Sequence, residues 1–140
     1  MGDNATIFIL AAIFILAVVG VVYLAFTRNS SPSLNKSKFQ TRWLEIEHSL
    51  NREQLATYQI AILNADKLLD EALRDRHVKG ASMGERMKNA SSSWSNANYI
   101  WGAHKVRNQL AHEHDYKLTR ETALRALSAY KQALKDIGAI

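Results

Sequence analysis

Apolar residues run unbroken from Ile7 to Phe26 and afterwards recur every three or four positions, so the chain divides into one continuous hydrophobic segment and a series of amphipathic helices. About 20 residues at helical rise span roughly 30 Å, the thickness of a bilayer's hydrocarbon core. Beyond it, Phe39, Trp43, Ile46 and Leu50 mark one helix face, with Arg42, Glu45, Glu47 and His48 opposite. Leu55, Tyr58, Ile62, Ala65, Leu69 and Leu73 continue the period to about Arg76, after a helix start at Asn51 and Gln54.

Gly80 is expected to end that helix, and Ser82 with Glu85 has the spacing of a capping box opening a short helix through Met83 and Met87. Ser91 to Asn96 reads as a loop, with Trp94 packed beneath it. The next helix runs from about Ala97 to Glu113 and buries Tyr99, Ala103, Val106 and Leu110. Thr119 is placed to cap the last one, where Leu124, Leu127, Tyr130, Leu134 and Ile137 face the core before Gly138. No strand alternation, internal repeat or glycine-rich phosphate loop is present in the sequence. The expected fold is therefore all-α, with an N-terminal single transmembrane helix followed by an antiparallel four- or five-helix bundle.

The division this implies is an anchor over 1–28, a flexible tether over 29–37 around Pro32, and a helical domain over 38–140. A cleaved signal peptide is the competing reading of the start. Against it stand the absence of any basic residue before the run, its length, and the poor cleavage signature Ala25, Phe26, Thr27. Arg28, Lys36 and Lys38 follow the run and only Asp3 precedes it, so the positive-inside tendency puts the domain on the cytoplasmic side of the cell membrane.

The whole chain carries +5, and all 18 Lys and Arg follow Thr27 whereas 12 of the 13 acids do, leaving that part at +6. Such a surface suits polyanions, either RNA or the anionic lipid beside the anchor. The absence of cysteine excludes disulfides, thiolate metal sites and thiol nucleophiles. His104, His112 and His114 do not share a helical face at ligand spacing, so no metal and no cofactor is expected. The basic stretch Arg74, Arg76, His77, Lys79, Arg86 and Lys88 reads as a solvated helix end, with RNA or lipid contact as its alternative.

The residues with chemistry are on the helix from Ala97. Arg107 can hold a phosphate and His112 can move a proton near neutrality. Trp101, His104, Lys105, Asn108 and His112 cluster away from the apolar stripe, so folding does not demand them and they face solvent or a partner. His104, Lys105 and Trp101 are then candidates for substrate binding, Trp101 as a base platform or dimer surface. The alternative pairs Arg107 with an acid such as Glu113 and leaves His112 to cap the helix end.

The segment His104 to Glu113, reading HKVRNQLAHE, resembles the arginine, four residues, histidine motif of HEPN domains, with further agreement at Asn108, Leu110 and Ala111. The resemblance implies a small helical bundle and, as in many members, a metal-independent ribonuclease that works as a dimer. It assigns catalysis to Arg107, Asn108 and His112, with Arg107 on the phosphate and His112 as general acid or base. The partners it implies are RNA and a second copy docked through the motif helix, beside the bilayer at residues 7–26 and a further protein of unknown identity. Some relatives bind nucleotides or partners without cutting, so a non-catalytic binding or scaffold module for RNA, nucleotide or protein is the alternative. Several toxin-type members carry a tyrosine two residues after the histidine, where this chain has His114.

Overall fold

The computed structural model describes residues 2–28 and 34–140, which form two compact units divided after Ser33. The first is a single helix, α1, over Gly2–Arg28. Its window Ile7–Leu24 has a mean hydropathy of 3.1 and is long and apolar enough to cross a membrane. The large side chains there stay exposed, Phe8 at 74 % for example, as suits a helix that is hydrophobic on every side. Arg28's side chain and residues 29–33, including Pro32, lie outside the described residues, and with them most of the expected tether.

The second unit holds α2 (Lys36–His48), α3 (Leu55–Asp75), the short α4 (Met83–Asn89), a 3-10 turn (Ser91–Ser93), α5 (Ala97–His112) and α6 (Arg120–Asp136). Helix α2 begins at Lys36, inside the span expected as tether, because the Asn35 side chain accepts the Lys38 backbone N–H and caps it there. Helix α3 is the central element: it packs chiefly on α6 and also on α2 and α5, while α6 packs on α5. Phe39, Ile62, Leu68, Leu69, Leu73, Met87, Tyr130 and Leu134 form the fully buried centre.

Two expected starts hold. Ser82 accepts the Glu85 N–H at 3.2 Å, while the Glu85 carboxylate reaches back to the Ala81 N–H at 2.7 Å, a capping box shifted by one residue. Thr119 accepts the Thr122 N–H at 3.1 Å. The expected start at Asn51 does not form: its side chain accepts the Glu53 N–H in a local turn, and α3 begins at Leu55. Nor does Gly80 end α3. His77 takes the left-handed position (φ 58°), with Val78 N–H on Leu73 O and His77 N–H on Arg74 O, so the helix closes in a Schellman turn before the glycine.

Gly80 instead has φ +154° where the chain passes α4, and a Cβ there would stand 2.7 Å from the Arg86 backbone nitrogen. Leu124 and Leu55, expected in the core, are exposed: Leu124 lies off the buried arc of α6, and Leu55 is the first residue of α3. Trp94 is buried as expected and donates its indole N–H to Met87 O at 2.9 Å.

Candidate functional site

The apolar face of α3 carries one acid. Asp66 stands one turn after Ile62 and just before Leu69, and is 4 % exposed. A buried carboxylate is costly unless its oxygens are paired. Tyr130 of α6 donates its hydroxyl to Oδ1 at 2.9 Å, and His104 of α5 places Nδ1 on the same oxygen at 2.8 Å. Arg107 brings Nε to 3.1 Å from Oδ2. That N–H is not aligned for a hydrogen bond, and Nε is a buried donor without an acceptor, so the Arg107 contact is a Coulombic pair. Burial, with the Asp66 charge beside it, pushes the Tyr130 hydroxyl well above the ordinary phenol range.

These contacts revise the expected face of α5. His104 was expected outward with Lys105 and Trp101, but its side chain is only 12 % exposed, because Asp66 draws it into the α3–α5 contact. Arg107 pairs with an acid, as the structural alternative held, but with Asp66 rather than Glu113. The buried stripe also includes Ile100, while Tyr99, Val106 and Leu110 are half-buried. Asp66 and Tyr130 were not singled out in the sequence, although an acid at a core position of an otherwise apolar helix face is a readable signal.

The remaining polar residues of α5 do share a surface. Trp101, His104, Lys105, Asn108 and His112 line one open depression, with Trp101 39 % exposed and edge-on to His104 at 6.0 Å between rings. Arg107 donates from Nη1 to Asn108 Oδ1 at 3.1 Å, which ties the guanidinium to a residue that lines the depression. His112, the last residue of α5, is exposed. Because α5 stops there, His114 lies beyond the helix. Both line a second depression with Ile60, Leu63, Leu110 and Tyr116.

The basic stretch is divided: Arg74, His77, Lys79 and Lys88 are exposed, as expected of a solvated helix end, while three of its arginines make contacts within the fold. Arg86 is buried on Asp70 at 2.7 Å and on Gly80 O, Arg74 pairs with Asp70 at 2.8 Å, and Arg76 donates to Ile137 O. Among the described residues, no three His, Asp or Glu converge as a metal site.

No protein-family model, curated protein or solved structure matches this chain. The site's chemistry therefore rests on its own geometry: a cation held at the rim of a concave surface, two imidazoles and an amide along that surface, and an indole at one end.

Proposed function

We propose that the chain is a membrane-tethered, metal-independent endoribonuclease with a HEPN-like bundle on the cytoplasmic side. The reading rests on one observation: Arg107 is anchored to the buried Asp66 and, through Asn108, borders the depression that His112 also lines. Cleavage without metal needs proton transfer at the ribose 2′-hydroxyl and the leaving 5′-oxygen, plus positive charge near the phosphorane-like transition state. Arg107 supplies the charge, Asn108 positions it, and His112 carries a proton. Lys105 and Trp101 offer a phosphate contact and a stacking face to the flanking nucleotides. The buried ion cluster supports a functional role, because a bundle this small folds more economically on an apolar contact than on a carboxylate with three partners.

The second reading is a non-catalytic module that binds RNA, nucleotide or protein at the membrane. The Arg107 pairing with Asp66 favours it, since a guanidinium partly neutralised by a carboxylate stabilises a transition state less than a free one.

Full-length protein in detergent micelles, incubated with mixed RNA in EDTA beside His112→Ala, separates the two. The ribonuclease yields fragments ending in 2′,3′-cyclic phosphate, and His112→Ala lowers the rate by about 10² to 10⁴ with little change in melting temperature. Intact RNA that binds in a salt-dependent way establishes the binding module instead.

A further inference from the structure

We infer that His104, oriented by Asp66, is the general base of this site, and that His112 is its general acid. The inference rests on the ribonuclease reading above and names the second proton carrier that reading lacks. A carboxylate only accepts hydrogen bonds, so the 2.8 Å contact to Asp66 Oδ1 fixes a proton on Nδ1 of His104. In the neutral ring the lone pair is then on Nε2. The buried side-chain donors and acceptors left unpaired among the described residues are Trp43 Nε1 and Arg107 Nε. Nε2 of His104 also has no partner among the described residues and does not belong with those two, so it reaches solvent at the lining of the depression. Gly84 of α4 keeps that edge open: a Cβ there would already lie 3.9 Å from Nε2, and a longer side chain would cover it.

Spacing along α5 matches the reaction. In-line displacement puts the attacking 2′-oxygen and the leaving 5′-oxygen on opposite sides of phosphorus, so base and acid must flank the phosphate. His104 and His112 lie one helical turn before and after Asn108, roughly 12 Å apart along the axis. Two hydrogen bonds of about 2.8 Å on either side of an in-line O–P–O array of roughly 3.6 Å need about 9 Å between the two Nε2 atoms. The axial rise between the two residues is of that order, which leaves room for a phosphate between them.

The step is then closed. Nε2 of His104 takes the 2′-hydroxyl proton, the 2′-oxygen bonds to phosphorus, the bond from phosphorus to the 5′-oxygen breaks, and imidazolium His112 gives its proton to that oxygen. The products are a 2′,3′-cyclic phosphate and a 5′-hydroxyl, and proton exchange with water resets both rings. Asp66 is a positioning residue here, fixing the ring and its tautomer without touching substrate.

The test uses full-length protein in micelles with EDTA and two substrates: RNA, and uridine 3′-(4-nitrophenyl phosphate), whose leaving group departs without a proton. His104→Asn keeps an N–H where Nδ1 stands but lacks the base. It should lose about 10² to 10⁴ in rate on both substrates, whereas His112→Ala should lose as much on RNA yet stay within about tenfold of wild type on the nitrophenyl ester. Wild-type rates for His104→Asn on the ester overturn the assignment and leave the ribonuclease reading intact. Inertness of the wild type toward both substrates overturns that reading and the assignment with it. The pH profile of His112→Ala, an exposed change, guards against a misfolded His104 variant. On the ester it should keep the acidic limb of kcat/KM that reports the base, and loss of that limb would make His112 the base and overturn the assignment.

Discussion

The Tyr130 hydroxyl donates to Asp66 Oδ1 across 64 residues of sequence, joining the last helix to the central one through a single buried oxygen. The same oxygen receives His104, so this bond sets the position on which the α5 site is built. Tyr130→Phe removes one of three partners from a buried carboxylate and is expected to cost about 1 to 3 kcal/mol in a denaturant titration at pH 7. Its pH dependence follows from the raised folded-state value of Tyr130. Below the ordinary phenol value of 10.0 both states hold the proton and the gap between wild type and variant is flat. Above it the unfolded chain loses the proton and the folded chain keeps it, so the wild type's advantage shrinks as pH rises. Denaturation midpoints at pH 7, 9 and 11 check this, and a constant gap across all three would count against it.

Arg86 and Gly80 form a second structural lock. The buried guanidinium bonds both Asp70 and the Gly80 carbonyl, and the glycine's conformation lets the chain pass the Arg86 backbone. Gly80→Ala places a methyl 2.7 Å from a backbone nitrogen that cannot swing aside, at a φ that L residues avoid. The expected loss is about 2 to 4 kcal/mol, read by thermal melting. Gly138, also at positive φ but with open space around its Cβ position, should tolerate alanine at the cost of its conformation alone, about 1 kcal/mol.

On the acid side, Glu71 is held below its usual range by the Lys38 hydrogen bond, against partial burial and with the help of Arg42. Its Lys38 contact is 2.7 Å. A lowered folded-state value means the stabilisation is complete above the ordinary 4.5 and disappears as pH falls through the lowered value. Glu71→Gln should therefore lower the denaturation midpoint at pH 7 and leave it unchanged near pH 2. An equal loss at both pH values would place the effect in packing rather than charge.

Helix number and helix type were legible in the sequence because burial follows the 3.6-residue period, and Phe39, Trp43, Ile62, Leu69 and Tyr130 fall on it. Ser82 and Thr119 were legible as caps for the same local reason. The end of α3 was not. A left-handed turn was assigned to the nearest glycine, whereas the apolar pair Leu73 and Val78 closed the Schellman turn three residues earlier, with His77 bearing the strain. Periodicity placed His104 outside because it counts polarity and cannot see a partner on another helix. The pairing of Asp66 with His104, Arg107 and Tyr130 is tertiary, and only the presence of an acid on α3's apolar face hinted at it.

Exposed apolar residues gather beside His112. Ile60, at 57 % exposure, and Leu63, at 37 %, line a depression with Leu110 and Tyr116 at the end of the motif helix. Solvent-facing leucine and isoleucine gathered in one concavity mark an interaction surface more often than isolated ones do. A second copy docked there would bring two His112 residues near one another, as in the dimer that the family resemblance implies. Ile60→Glu should leave the fold within about 0.5 kcal/mol of wild type, since the position is exposed, while placing a charge at the centre of the contact. Light scattering on full-length protein in micelles should then report half the protein mass of the wild type. Equal masses for the two would remove this surface from the dimer, and the chemistry proposed for His104 and His112 would stand without it, because both residues belong to one chain.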